Sequence, residues 1–164
     1  MQLPAAKPIS MKPFKTIAFI LLFTSSYMLS TGQEKIPINE PNYNKPKLFE
    51  DLPQKMILTI SAMEPLFDIS VGTAVTAKLT QTFQFKGTII SKSADGKTAV
   101  KSVVVRSATR QGAVLTFTKI TNQDGSFTYT GRIISMESID AYQIVKENDQ
   151  YILQKKNYYE MVRE

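Results

Sequence analysis

The chemistry open to this chain is narrowed first by the residues it lacks. It contains no histidine and no cysteine. That removes the commonest general base near neutral pH, the thiol nucleophile, and the ligands that hold most zinc. Proton transfer would fall to carboxylates, and Asp95, Asp124, Asp140 and Asp149 are the natural ones to weigh. Three of them lie in segments that read as turns, where aspartate bonds to its own backbone. No D-x-D-x-D-G loop of the calcium-binding kind occurs. Ser91-Lys92-Ser93 has the residue types of a Ser–Lys nucleophile, but it ends a strand, where alternate side chains face opposite ways. The 7 glycines are dispersed, so no phosphate-cradling loop is expected. No catalytic residue, metal ligand or cofactor is assigned. A carboxylate pair converging from distant segments to run a hydrolysis is a remote alternative.

The most specific pattern is a repeat. Phe83-Gln84-Phe85-Lys86-Gly87-Thr88-Ile89-Ile90-Ser91 recurs as Phe127-Thr128-Tyr129-Thr130-Gly131-Arg132-Ile133-Ile134-Ser135. Each copy places two aromatics, a glycine and an isoleucine on one face. Phe83, Phe85, Gly87, Phe127, Tyr129 and Gly131 are therefore the candidate ligand-binding residues, with the glycines making room and the rings forming walls. The competing interpretation, which is favoured, is that both copies are core strands bending at equivalent places. Phe83, Phe85, Ile89, Phe127, Tyr129 and Ile133 are then expected to point inward. Thr116, Thr118, Thr128 and Thr130 resemble the polar face of a carbohydrate- or peptide-binding sheet, although threonine is also simply a good strand residue.

These residues must be positioned by strands. From Met56 onward the hydrophobic period is two: Ile69, Val71, Val75, Ala77 and Leu79 alternate with polar residues, and Phe83, Phe85, Gly87 and Ile89 do the same. Strands are expected at about 56–63, 69–80, 82–92, 98–107, 113–121, 126–136, 139–146 and 150–155. Short turn signals separate them, among them Ala94-Asp95-Gly96-Lys97, Asn122-Gln123-Asp124-Gly125 and Asn148-Asp149. The fold class is all-β: a single antiparallel meander of about eight strands, as an up-and-down barrel or a strongly curved sandwich. A short helical segment is expected at the C-terminus. The organisation resembles that of lipocalin-like barrels, but their Gly-x-Trp at the first strand cannot occur in a chain without tryptophan, so no family is assigned.

Ahead of the β domain (56–164) lie two other segments. Residues 1–32 read as a secretion signal, with 11–32 its working part. Lys12 and Lys15 precede the apolar run Ile17–Phe23, and Ser30-Thr31-Gly32 supplies small residues for cleavage between Gly32 and Gln33. The apolar run is far shorter than the roughly 20 residues a membrane span needs. Residues 33–55, with Pro37, Pro41, Pro46 and Pro53, read as an extended arm that adds little to stability.

The net charge of +6 falls to +3 once the three signal lysines are removed, leaving 17 basic against 14 acidic residues. The charges are interspersed, so no nucleic-acid partner is expected. Without cysteine the protein is not a lipoprotein. These features point to an exported, non-catalytic, barrel-like binding module in the periplasm or outside the cell, for a small apolar ligand, a glycan or an envelope protein. It would meet the membrane only in transit through its signal. The alternative is a structural or accessory subunit of a cell-envelope assembly. A hollow interior would favour the first, a filled one the second.

Overall fold

Alternating side chains become eight strands in one antiparallel sheet: β1 (Lys55–Ile57), β2 (Ala74–Lys78), β3 (Gln84–Lys92), β4 (Val100–Ser107), β5 (Val114–Thr121), β6 (Phe127–Ile134), β7 (Asp140–Glu147) and β8 (Gln150–Asn157). The computed structural model describes residues 42–93 and 99–161. The expected signal, its cleavage point at Gly32 and Gln33, and the turn at 94–97 lie outside them. The strand order is β1-β8-β7-β6-β5-β4-β3-β2, a meander in which β1 returns to pair with β8. Turns of a few residues enforce that order, and the tightest is Asn148-Asp149, both at positive φ between Glu147 and its partner Gln150. That is the backbone of a two-residue hairpin whose twist matches its strands.

The sheet curls into a half-barrel. No ladder joins β1 to β2 among the described residues. Where the two edge segments approach, the Thr59 N–H donates to the Leu79 carbonyl at 2.8 Å. A bulge between Ile89 and Ser91 shifts the register of β3 on β4, and Ile90 within it is exposed. Inside the curve, Phe85, Ile89, Val103, Val105, Leu115, Phe117, Ile133 and Leu153 are almost wholly buried. No buried side-chain nitrogen or oxygen among the described residues lacks a hydrogen-bond partner. The interior is filled by side chains.

Three expectations need correction. The first strand does not run to residue 63: β1 stops at Ile57, and a helical turn, α1 (Ile60–Met63), leads into a 3-10 turn (Glu64–Phe67). Met63, Leu66 and Phe67 are the buried residues of this stretch. Their spacing is helical rather than alternating, and Pro65 is excluded from a paired strand. The second strand does not begin at Ile69, because Val71 and Gly72 form an exposed turn, with Gly72 at φ +89°. The C-terminal helical segment is present as α2 (Tyr158–Met161). No helix among the described residues is long and apolar enough to cross a membrane.

The third correction concerns the arm, whose described part is a tightly fastened strap. Phe49 is fully buried and packs edge-on against Tyr142, ring centres 5.5 Å apart. Both carboxylate oxygens of buried Asp140 are engaged, accepting the Leu48 N–H at 2.6 Å and the Phe49 N–H at 2.9 Å. Arg110 donates to both oxygens of Asp51, at 2.9 and 2.7 Å, and to the Leu48 carbonyl. Lys155 caps the carbonyls of Phe49 and Leu52. Lys55, expected in the arm, already pairs with Gln154. A strap that runs outside the sheet ladders must have its polar backbone satisfied by side chains, and the clamp supplies them.

Candidate functional site

The two copies of the repeat form β3 and β6, and they do not face one another. Each strand from β3 to β6 is antiparallel to the next. β3 and β6 therefore run in opposite directions, and their aromatic starts lie at opposite ends of the half-barrel. Phe83 and Phe85 are buried, pack edge-on with ring centres 6.5 Å apart, and sit beside the strap, where the Arg110 guanidinium lies 5.6 Å from the Phe83 ring. Ile89 and Ile133 are fully buried. Phe127 is 50% exposed. It fails the inward expectation because it opens β6 at the rim, beyond the level that the core fills. Gly87 and Gly131 do share a role. A β-carbon on Gly87 would collide with the Arg106 carbonyl, and one on Gly131 with the Thr116 carbonyl. The six candidate residues are not brought into one site.

At the Phe127 end a different constellation assembles. Along the inner face of β5, buried Leu115 and Phe117 are followed by Lys119; along β4, buried Val105 and Val103 are followed by Lys101. Lys101 and Lys119 are register partners, as are Lys119 and Tyr129, and Thr121 and Phe127. The apolar stripe thus gives way to charge at one level across neighbouring strands. The 60–67 turns pack onto this level: Phe67 stacks on Phe117 at 5.1 Å, Phe117 on Tyr129 at 5.7 Å, and Tyr129 meets Tyr151 edge-on at 5.4 Å. Above this aromatic floor, Glu64 Oε1 accepts from Lys119 Nζ at 2.5 Å and from the Tyr129 hydroxyl at 2.6 Å. The Lys119 ammonium lies 3.8 Å from the centre of the Phe127 ring, a cation–π contact.

The electrostatics lock this cluster in one protonation state. The hydrogen bond from Lys119, then that from Tyr129, holds the Glu64 carboxyl below the usual carboxylate range. The same bond to Glu64 raises Lys119. Burial, then the bond to Glu64, raises Tyr129. At neutral pH the trio is carboxylate, ammonium and phenol. A general acid needs a carboxyl pushed the other way, so these hydrogen bonds favour the charged form of Glu64.

The trio borders a solvent-open cleft of about 520 Å³ whose lining includes Ser61, Glu64, Asp68, Lys101, Thr121 and Phe127. A second cleft, of about 600 Å³, lies between the strap and the ends of β7 and β8. Of its charged groups, Asp140 and Lys155 are engaged in fastening the strap and Lys47 pairs with Glu50. Burial, then the charges of Asp140 and Asp51, pushes the neighbouring Tyr142 hydroxyl up to about 12, and that hydroxyl is engaged by the Pro53 carbonyl. The mouth cleft is distinguished by its aromatic wall, with half of Phe127 in water, and its Lys101 makes no ion pair among the described residues. Among the described residues, no group of three or more metal-ligating side chains converges.

No family model, curated protein or solved structure matches the chain. Glu64, Lys101 and Lys119 were invisible as candidates because lysines scattered along strands read as solvated surface. The available signal was position: both lysines continue an inner-face stripe of buried residues.

Proposed function

We propose that this protein is an exported, non-catalytic binding module that holds a glycan at the open mouth of its half-barrel, in the periplasm or outside the cell. The observation that carries this reading is the half-exposed Phe127 in a polar, solvent-open cleft. A sugar presents an apolar ring face rimmed by hydroxyls. Phe127 offers the matching flat apolar surface, and Ser61, Asp68 and Thr121 offer hydrogen-bonding groups beside it. A small apolar ligand suits the protein less well, because the filled interior leaves no dry chamber for it. The filled interior also supports a second reading, an accessory subunit of a cell-envelope assembly that docks through a free sheet edge.

The test is binding of the secreted protein to an immobilised panel of cell-wall oligosaccharides. Intact-mass spectrometry of the same preparation is expected to show a chain that starts at Gln33. Phe127→Ala should weaken the strongest interaction by about tenfold or more, as expected for removal of a stacking ring. Binding unchanged by that substitution, or no binding to any glycan, overturns the reading.

A further inference from the structure

We infer that the mouth selects an acidic glycan, seating a sugar carboxylate or sulfate against Lys101 while the ring lies on Phe127; this rests on the glycan reading above. Lys101 and Lys119 stand opposite one another on neighbouring strands, continuing the stripe of Val103 and Phe117. Directly opposed residues of an antiparallel pair have β-carbons about 4.5–5.5 Å apart, and like charges so placed repel. The Glu64 carboxylate is engaged by Lys119 and Tyr129 and makes no ion pair with Lys101. Lys101 is exposed at the cleft and makes no ion pair among the described residues. Asp68, the other acid of the cleft, pairs with neither lysine. With Glu64 held by Lys119, Lys101 is the lysine of the cleft that an anionic group can pair with, while Asp68 remains an acceptor for sugar hydroxyls. Phosphate alone would gain nothing from Phe127, whereas a charged sugar uses both.

Titration calorimetry at low salt with oligogalacturonate, with a neutral maltooligosaccharide of equal length and with inorganic sulfate tests this. The acidic oligomer is expected to bind about tenfold more tightly than the neutral one, and its advantage to shrink as salt screens the contact. Lys101→Gln should abolish that advantage. Because Lys101 is exposed, the variant should melt like the parent. Equal affinities for the two oligomers, or an acidic preference that survives Lys101→Gln, overturn the inference and leave the glycan reading standing. Sulfate binding as tightly as the oligomer also overturns it, since the site would then be for an anion alone. If neither oligomer binds, this inference falls, while the oligosaccharide panel decides the glycan reading.

Discussion

The strands β3 and β6 carry the same nine-residue pattern and meet opposite fates. In β3 the aromatic pair sinks into the core beside the strap; in β6 it climbs out to the rim, with Tyr129 half-buried and Phe127 in water. Their glycines nevertheless do the same thing, each letting a neighbouring strand's carbonyl come closer than a β-carbon allows. The pattern therefore sets which face a side chain takes and where two strands press together. Depth along the barrel is set by strand direction and by what lies at each end. Phe83 has over it the Arg110 that clamps the strap. Phe127 has the Lys119 ammonium and the open cleft.

The largest expected effect sets the two aromatic pairs apart. Phe85→Ala should cost about 3–5 kcal/mol, the usual penalty for emptying a buried aromatic site. Phe127→Ala should cost about 1 kcal/mol or less, because a half-exposed ring gives up far fewer contacts. Urea melts of the two variants measure both. Equal losses would mean that the rim is as tightly packed as the core, and the cleft would lose its standing as a site.

The glycines should narrow the contrast again. Gly87→Ala and Gly131→Ala are each expected to cost about 1–3 kcal/mol, since the new methyl meets backbone rather than a side chain that could swing away. Similar losses in thermal melts would confirm that the two copies are equivalent as structure while differing as surface. A tolerated Gly131→Ala would show that β5 and β6 can part where β3 and β4 cannot.

Much of this fold is local information, which is why it could be read in advance. Alternation places Phe117 and Val103 inward whatever the rest of the chain does, and Asn148-Asp149 dictates its own hairpin. The strap is another matter. Its partners lie far along the chain, Asp140 92 residues from Leu48 and Arg110 59 residues from Asp51, and proline-rich composition says nothing of a distant clamp. The 60–67 turns were hidden by a strand-length window, although Met63, Leu66 and Phe67 have helical spacing. The mouth was legible only once register was known, because Lys101 and Lys119 become a pair through strand alignment and not through their separation in sequence.

The smallest expected effect contrasts the strap's clamp with the trio at the mouth as acid is added. Hydrogen bonding from Arg110 holds Asp51 below its ordinary value of 3.8. A carboxyl lowered by folding contributes stability that is fully present above its unfolded pKa and is lost as pH falls through the folded one. The loss should therefore begin near pH 4 and grow below it. Asp51 is largely exposed, with 63% of its side chain accessible, so screening limits the effect to about 1 kcal/mol or less. Asp51→Asn should lower the melting temperature slightly at pH 7 and remove part of the acid-side slope. Glu64, lowered chiefly by Lys119, should give a similar slope of its own, and Glu64→Gln should remove that one instead. The two variants differ in a second readout. Loosening the strap should leave glycan affinity unchanged, because the clamp lies at the other end of the half-barrel. Glu64→Gln should change that affinity by freeing Lys119 from its carboxylate. An Asp51→Asn variant that lost binding as Glu64→Gln does would join the two ends of the barrel into one functional unit and break the separation drawn between them.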